Sequence, residues 1–576
     1  MRKVFKSVGT KSLLVLAILF ALSGLRPSLA SAGSAPSVRF PHHSNTVLHI
    51  KFKDSTNISL TGNNFVGSDA GSINSVLSQS KAQSKQQLFE DSAANLKAKY
   101  HAAIASGSNV HDLSQYYAIK ISAGQDIQAV SDHLRTLPGI EDAYPEPLPA
   151  PSPTTPNYTS MELYRNSAPT GIDANFAATW PGAVGAHARI TDVEYSWNVN
   201  HEDLSKARAP GASIANGTPV DPFNDNNHGT AVLGMLGGDA NTFGVTGLVP
   251  NTPINMVNTV SSESGWSVAN AVYIASNQMS AGDVMTIEQQ SCGPSDPSCT
   301  SGFMPIEWIP EVYDAISYAT AKNIVVVEPA ANGGQNLDDA SLYGSPFPSG
   351  KPSSGAIIVG AGAACAGGSP GRSRLSFSNY GSRVNMQGLG ECVTTTGYGG
   401  LSPSTATPNS YYTAYFNGTS SATPTVAGAA ASFVSSYKYL NGVAPSVTLV
   451  SSVLESTGTP QNYSVGSLTG NIGPLPNLAI ALLRTDLKSP TSATKLSAAL
   501  NASNKVVLKW TAATDNVGVA SYKVYRNNVL IKIIAPSTTF TDTTVVAKKT
   551  YQYKLVTVDR AGHSSPVSTA VSITTR

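Results

Sequence analysis

Residues 415–433, YFNGTSSATPTVAGAAASF, place a turn of small residues in front of a run of alanine and valine. Small side chains let a backbone approach other groups closely. A proline is tolerated in the first turn of a helix, where its missing N–H would have no partner. The segment therefore predicts a tight turn that delivers Ser420 to the start of a buried helix, with Pro424 in the first turn.

Around this turn, residues 161–487 alternate short apolar strands with helices rich in small residues. The strand-like segments are ARITDVEY (188–195), INMVNTV (254–260), DVMTIEQ (283–289), NIVVVEPA (323–330) and GAIIVGAGA (355–363). Such alternation predicts an α/β domain with a mostly parallel sheet and helices on both faces. Functional groups of these sheets gather at the carboxyl ends of the strands.

The sequence on either side of this domain has a different pattern. Residues 45–147 combine strands such as NTVLHIKF and YYAIKI with the amphipathic segment DIQAVSDHLRTL, which predicts a small α+β unit. Residues 148–160 are proline-rich and predict an exposed linker. Residues 489–576 alternate apolar and polar residues with frequent turns, which predicts an all-β sandwich. We expect its core to contain Trp510, Tyr522, Tyr553 and Val556.

The N-terminus and the cysteines both indicate export. Residues 1–30 combine a basic start with the apolar run LLVLAILFAL and small residues before Ala30, the pattern of a cleaved signal peptide. A membrane anchor is the alternative, but the run is shorter than the roughly 20 residues needed to span a bilayer. The four cysteines allow three pairings. We favour the two local ones, Cys292–Cys299 and Cys365–Cys392, over a metal site, because neither pair has the C-x-x-C spacing that zinc favours.

Composition narrows the classes of partner. The formal net charge is +2, and charged residues make up 12% of the chain. We therefore expect no nucleic-acid partner. We also expect no stable membrane anchor, because the sequence after the N-terminal run has no second apolar run long enough for one. Hydrophobic residues make up 41%, which is too many for a disordered chain.

Three strand or turn ends in the α/β domain carry groups that a structural role alone does not require. Asp192 follows a strand, His228 opens a helix in NDNNHGTAVLGMLGG, and Ser420 opens another. Carboxylate, imidazole and hydroxyl are the set that makes a serine nucleophilic. Asn332 follows a fourth strand in NIVVVEPAANGGQN, and its amide can donate to an oxyanion together with the Ser420 N–H.

These segments, in the order Asp, His, Asn, Ser, resemble the subtilisin-like serine peptidases, the subtilases. HGTAVLGMLGG and GTSSATPTVAG are similar to the family's histidine and serine segments, and SFSNYG (376–381) is similar to a stretch between its asparagine and serine. The resemblance spans most of residues 165–485. It implies Asp192, His228 and Ser420 as the catalytic triad and Asn332 as an oxyanion-hole donor.

The resemblance also implies roles for the flanking units. The N-terminal unit resembles an inhibitor-like propeptide that acts as an intramolecular inhibitor and is cut off in the linker. WTAATDNVGVASYKVYRN (510–527) in the C-terminal sandwich resembles a fibronectin type III domain of bacterial secreted enzymes. The implied protein is a secreted, monomeric serine endopeptidase that cleaves proteins or peptides and needs no cofactor for catalysis. Related enzymes often bind calcium, but the sequence identifies no metal site.

The segments depart from the family pattern at three acidic residues, Glu194, Glu288 and Glu328. We predict that Glu288, Gln289 and Ala330 contact substrate, and one hypothesis is that Glu288 forms a negative wall that selects Lys or Arg. Another is that clustered carboxylates share protons and tune activity to acid pH. The third interpretation is that the three acids are structural, exposed or paired.

Two alternatives to an ordinary subtilase remain open from the sequence. One is a catalytically inactive scaffold that binds peptides or surfaces. The other is a serine-carboxyl peptidase, a related acid-acting enzyme in which a glutamate stands where this chain has His228.

Overall fold

The computed structural model describes residues 43–148, 155–365, 369–464 and 466–576. The predicted signal peptide and most of the predicted linker and maturation site lie outside these residues. The chain divides into two compact units between residues 153 and 154. In the part of the chain that is described, every helix is too short or too polar to cross a bilayer.

The first unit is a four-stranded antiparallel sheet with helices. The strand order is β4-β5-β1-β6, with a separate β2–β3 hairpin. Apolar residues of β1, β5 and the helices α1 and α3 form its core. The elements are β1 His43–Phe52, β2 Ser59–Thr61, β3 Asn64–Val66, α1 Ala70–Gln79, β4 Ala82–Gln87, α2 Ala93–Ala105, β5 Tyr116–Ile121, α3 Ile127–Arg135 and β6 Ile140–Pro147.

The second unit begins with an α/β domain. Its elements are α4 Ala174–Ala177, β7 Ile190–Glu194, β8 Ser213–Ile214, α5 Asn227–Gly237, β9 Ile254–Asn258, β10 Val260–Ser261, β11 Gly265–Trp266, α6 Val268–Gln278, β12 Val284–Ile287, β13 Gln290–Cys292, β14 Phe303–Pro305, α7 Pro310–Ala321, β15 Val325–Pro329, α8 Ala340–Tyr343, β16 Ile357–Gly362, β17 Met386–Leu389, β18 Val393–Thr396, β19 Tyr412–Phe416, α9 Thr419–Asn441, α10 Val447–Thr457 and α11 Leu478–Ala481.

Seven parallel strands form the main sheet of this domain, in the order β17-β16-β15-β12-β7-β9-β8. The apolar residues of α5, α9 and α10 pack against one face. Those of α6 and α7 pack against the other. The predicted α/β architecture, a parallel sheet between two layers of helices, is confirmed. Both faces are covered, so the central strands are buried along their whole length.

The second unit ends in two antiparallel sheets, β20-β21-β24 and β23-β22-β25-β26. Side chains of both sheets meet in one core that contains Trp510, Tyr522 and Tyr553. Val556 is also buried, but outside that cluster. The strands are β20 Thr494–Leu500, β21 Val506–Thr511, β22 Val519–Arg526, β23 Val529–Ile534, β24 Thr539–Asp542, β25 Thr550–Asp559 and β26 Val571–Thr574.

Short 3₁₀ helices connect several of these elements. They are Leu113–Gln115, Thr159–Met161, Leu163–Arg165, Ser205–Arg208, Ile306–Trp308, Pro408–Ser410 and Leu482–Thr485. The last of them leads from α11 into the sandwich.

Candidate active site

Ser420 is the second residue of the long buried helix α9, as the small-residue turn predicted. Gly418 precedes the helix with a φ of 96°, a backbone conformation that residues other than glycine rarely adopt. Pro424, however, is the sixth residue of α9 and lies in its second turn. The expectation of a first-turn proline is therefore wrong. Without an N–H at residue 424, the carbonyl of Ser420 has no i+4 donor.

His228 is the second residue of α5, and its Nδ1–H donates to Oε2 of Glu194. Gly229 makes this approach possible. A Cβ at residue 229 would stand 2.8 Å from Cγ of Glu194 and 2.7 Å from Cδ1 of Trp197. Because glycine has no Cβ, the start of α5 can lie directly against the end of β7.

Asp192, the predicted carboxylate partner of His228, does not make this bond. Its Oδ2 accepts a hydrogen bond from Nε1 of Trp197 at 2.7 Å, and its Oδ1 is buried without a partner among the described residues. The physical reason is that β7 continues to Glu194. Residues 192 and 194 lie on the same face of the strand, and only the second stands at its carboxyl end.

Glu194 is fully buried and is held by groups besides the imidazole. Its Oε1 accepts hydrogen bonds from the Tyr195 N–H at 2.7 Å and from Nε2 of Gln289 at 3.0 Å. Oε1 of Gln289 accepts from Nε1 of Trp266 at 3.0 Å, which fixes the orientation of that amide. With one oxygen held in this way, the other faces His228.

Three buried carboxyl groups therefore lie together beside His228. Burial, and then the charge of Glu194, raise the pKa of Asp192 well above its usual range. Burial, and then the charge of Asp192, do the same to the pKa of Glu288. Burial alone would lower the pKa of His228, but the charge and hydrogen bond of Glu194, with Asp192, outweigh it, and the net pKa is raised.

Asn332 lies against the start of α9. Its Oδ1 accepts hydrogen bonds from the Thr419 N–H at 2.9 Å and from Oγ1 of Thr419 at 3.1 Å. These bonds fix the amide orientation, and Nδ2 has no hydrogen-bond partner in the described part of the chain. Ala331, one residue earlier, has a φ of 71°, which is strained for a residue with a side chain. The backbone thus holds Asn332 with a free donor next to Ser420.

Two adjoining cavities, of 290 and 750 Å³, are both lined by His228 and Ser420. Asn332 lines the larger one, together with aromatic side chains such as Phe377 and Tyr415. Oγ of Ser420 makes no hydrogen bond to a described residue. The hydroxyl, the imidazole and the amide of Asn332 thus face shared space that is open to a ligand.

The predicted substrate-contacting residues have different surroundings. Glu288 and Gln289 line the smaller cavity, whereas Ala330 is fully buried in an apolar cluster and lines neither cavity. Oε1 of Glu288 accepts from Oγ1 of Thr286 at 2.8 Å, and its Oε2 is buried without a partner among the described residues. Burial, and then the charge of Asp192, raise the pKa of Glu288 and so favour its neutral form, which weighs against the hypothesis of a negative wall.

Glu328 belongs to a different buried network. The Glu307 N–H donates to its Oε2 at 3.3 Å, and Arg383 forms a two-bond ion pair with Glu307, at 3.0 and 3.1 Å. Burial, and then the charge of Glu307, raise the pKa of Glu328. Glu328 lines neither of the two cavities, so it fits the structural interpretation of the three acids.

The two disulfides join Cys292 to Cys299 and Cys365 to Cys392, the local pairing. The first disulfide closes the loop that follows β13. Gln290 lies in the same strand, and its Oε1 accepts a hydrogen bond from the Asn332 N–H at 3.0 Å. It therefore restrains a segment that contacts the backbone of the oxyanion-side asparagine.

Sequence reasoning named Glu194 only as a departure and missed its contact with the imidazole. The available signal was the i, i+2 spacing of Asp192 and Glu194, which places both on one face of the strand. Among two such acids, the later one lies closer to the functional edge of the sheet. Thr419 and Trp197 gave no signal, because their roles depend on contacts between distant segments.

Comparison with known proteins agrees with this architecture. The sequence profile of the subtilase family matches residues 190–471. Subtilisin DY of Bacillus licheniformis is 28% identical over 278 residues, which are 48% of this chain and 86% of that protein. A thermophilic serine proteinase of Bacillus sp. (strain AK1) is 27% identical over 388 residues, 66% of this chain and 84% of that protein.

A different type of relative matches over a shorter length. Chitinase A1 of Niallia circulans is 31% identical over 153 residues, which are 25% of this chain and only 22% of that enzyme. The match therefore covers most of the length of the two proteases but only about a fifth of the length of the chitinase. Together, the profile match and the parallel sheet support a subtilase domain within residues 190–471.

Proposed function

We propose that the protein is a secreted serine endopeptidase that is made as a precursor and hydrolyses proteins or peptides through an acyl-enzyme. The observation that carries this proposal is the orientation of His228. Its Nδ1 is bound to a buried carboxylate, and the same ring lines both cavities with Ser420. A histidine held through Nδ1 keeps Nε2 available as a base.

In the proposed reaction, Oγ of Ser420 attacks the peptide carbonyl while Nε2 of His228 accepts the hydroxyl proton. Glu194 acts as a positioning residue, because it holds the imidazole tautomer and stabilises the imidazolium that forms. The C–N bond then breaks as His228 returns the proton to the leaving amine. Water, activated by the same base, hydrolyses the acyl-enzyme and regenerates Ser420.

The developing oxyanion has two donors in this geometry. One is the backbone N–H of Ser420, which lies in the first turn of α9, and the other is Nδ2 of Asn332. The positive end of the helix dipole adds to both. Since Oδ1 of Asn332 is already bound to Thr419, the amide does not need to reorient when charge forms.

The pKa of His228 bears on the acid-tuned alternative. A catalytic base must be neutral to accept a proton, so a raised pKa moves the acid limb of activity above the usual histidine value of 6.5. This direction favours an enzyme that works at neutral to alkaline pH. It does not favour either the acid-tuned variant or a serine-carboxyl peptidase.

We further propose that the first unit is the inhibitory propeptide and the C-terminal sandwich an accessory module. The sandwich proposal is supported by short matches to carbohydrate-active enzymes, such as an α-amylase of Niallia circulans that is 38% identical over 90 residues. That length is close to the length of the sandwich, and it covers only 7% of the amylase.

Active-site labelling tests the catalytic proposal. The secreted protein is treated with a fluorophosphonate, and the modified peptide is identified by mass spectrometry. We expect stoichiometric modification at Ser420, strong loss of labelling in His228→Ala, and none at this position in Ser420→Ala. A folded, fully matured protein that remains unlabelled would instead indicate an inactive binding scaffold.

The precursor proposal has its own test. The N-terminal sequence and mass of the secreted form are compared with those of Ser420→Ala in a host that lacks other secreted proteases. Self-processing predicts a shortened wild type, cut between about Leu148 and Ser160, and an uncut variant. Identical trimming of both would rule out self-processing without affecting the catalytic assignment.

A further inference from the structure

Two carboxylates and a histidine meet where the α/β domain joins the sandwich, and a third carboxylate lies in the neighbouring β21–β22 loop. Asp486 follows the 3₁₀ helix Leu482–Thr485, Asp515 lies in the loop between β21 and β22, and Asp559 is the last residue of β25. Asp486 and Asp559 are each only 2% exposed. Oxygen atoms of these two and a ring nitrogen of His563 all lie within 4.8 Å of one another.

Each carboxylate has one oxygen held by the protein. Oδ1 of Asp486 accepts from Nδ2 of Asn516 at 2.7 Å. Oδ1 of Asp515 accepts from the Val517 N–H at 2.8 Å, and Oδ1 of Asp559 accepts from the His563 N–H at 2.8 Å. These bonds fix the orientation of all three side chains.

The other oxygen of each carboxylate is buried and has no hydrogen-bond partner within the described residues. These atoms are Oδ2 of Asp486, Asp515 and Asp559. An unpaired charge away from water is costly and rare in folded proteins. Oxygens of Asp486 and Asp559 also lie within 4.8 Å of each other, so the two carboxylates repel one another.

The nearby cations offset this repulsion only in part. Nδ1 of His563 is 3.0 Å from the carbonyl oxygen of Lys488 and 3.5 Å from both Oδ2 of Asp486 and Oδ2 of Asp559. A carbonyl can only accept, so the single Nδ1 proton is used there, and 3.5 Å is too long for a good second bond. The guanidinium of Arg560 stacks over Trp180 at 4.9 Å and donates to the Thr179 carbonyl.

We propose that the junction binds a divalent cation, calcium, through Oδ2 of Asp486 and Asp559, with Asp515 adding negative charge from the neighbouring loop. The donors are hard oxygens, which calcium prefers over nitrogen- or sulfur-seeking metals. The carbonyl of Lys488 is a further oxygen beside them, and water completes the shell. Asp486 belongs to the segment leaving the α/β domain and Asp559 to strand β25 of the sandwich, so the ion ties the sandwich to the catalytic domain.

Calcium titration of the full chain in the Ser420→Ala background, which removes self-cleavage, tests the proposal. After treatment with EGTA and exchange into chelator-free buffer, CaCl₂ is titrated by calorimetry and Tm is measured with and without the ion. We expect Asp486→Asn and Asp559→Asn to bind one calcium fewer than the parent. We also expect them to lose a Tm increase of about 5 °C in the sandwich transition at saturating calcium.

Asp542→Asn is the matched control, because Asp542 is a buried aspartate of the same sandwich whose Oδ2 accepts from Arg526 and Tyr553, both at 2.8 Å. It should lower Tm with and without calcium and keep the parent stoichiometry. Equal calcium stoichiometry in the parent, Asp486→Asn and Asp559→Asn, all folded by circular dichroism, would overturn the proposal.

Two further variants keep the test decisive if the buried substitutions prevent folding. Asp515→Asn changes a half-buried loop residue and should weaken binding at the junction at least about 10-fold. His563→Gln should retain the calcium response, because its Nδ1 is not a ligand in this arrangement. Unchanged affinity in Asp515→Asn, or loss of the response in His563→Gln, would contradict the proposed calcium site.

Discussion

Among the described residues, two clusters place buried carboxylates beside a histidine, and they differ in what the histidine contacts. At the candidate active site, Nδ1 of His228 donates directly to Glu194. At the junction with the sandwich, Nδ1 of His563 donates to the Lys488 carbonyl and remains 3.5 Å from two carboxylates. Similar residue types therefore serve different purposes in the two places.

The difference shows that composition alone does not define a site. The pair of His228 and Glu194 leaves the second ring nitrogen facing a cavity shared with a hydroxyl, which suits proton transfer. The junction cluster has oriented oxygens without donors and contacts no nucleophile, which suits binding of a cation. We expect substitutions in the first cluster to change mainly rates and substitutions in the second to change mainly stability.

The largest expected effect separates the two acids of β7. Glu194→Gln should lower kcat about 10⁴-fold, because the amide no longer stabilises the imidazolium or fixes its tautomer. Asp192→Asn is the matched control and should cost less than about 10-fold, since its side chain can still accept from Trp197. Steady-state kinetics on a peptide substrate measure both. A larger loss in Asp192→Asn would restore Asp192 as the partner of His228.

Asn332→Ala should lower kcat by about 10²–10³-fold with a small change in KM, because its amide is used chiefly in the transition state. The loss of the bond to Thr419 should reduce Tm by only a few degrees. Kinetics and thermal unfolding on the same sample test whether Asn332 affects the rate rather than the stability. A near-normal kcat would place the oxyanion donor elsewhere.

Glu288→Gln should change how stability depends on pH. The folded protein raises the pKa of Glu288 above the unfolded value of 4.5, so it binds more protons than the unfolded chain above that pH. Wild-type stability must therefore fall as pH rises from 4.5 through the folded pKa. Glutamine cannot ionise, so the decline above pH 4.5 should be shallower in denaturant titrations. Parallel curves for both proteins would mean that Glu288 is not a source of this loss.

The smallest expected effect concerns a junction contact outside the carboxylate cluster. Arg560→Ala removes the stacking on Trp180 and the bond to Thr179, and should lower the free energy of unfolding of the sandwich transition by about 0.5–1 kcal/mol. It should leave the calcium response unchanged. Arg560→Lys, which keeps the charge, should show an intermediate loss. Loss of the calcium response in Arg560→Ala would mean that the junction is held as a single unit.

Much of the fold could be predicted because apolar runs mark buried parallel strands. The five quoted segments contain β7, β9, β12, β15 and β16. The edge strands β8 and β17 were missed, because short strands at a sheet edge need no long apolar run. His228, Ser420 and Asn332 could be located because each follows a strand or opens a helix within a long characteristic segment.

The acid partner of His228 could not be fixed in the same way. Choosing between Asp192 and Glu194 requires the residue at which β7 ends, and boundaries are poorly encoded in local sequence. The junction cluster was invisible for a different reason. Asp486 and Asp559 are 73 positions apart in the printed sequence (559 minus 486), and only folding brings their oxygens together.

The proline in the second turn of α9 has a mechanical consequence. Helix α9 has 23 residues, and most of them are buried in the core. Because Pro424 has no N–H, the carbonyl of Ser420 lacks the backbone hydrogen bond that residue 424 would otherwise donate. We therefore expect Ser420, the proposed nucleophile, to be able to move by small amounts during the reaction while the rest of helix α9 keeps its position.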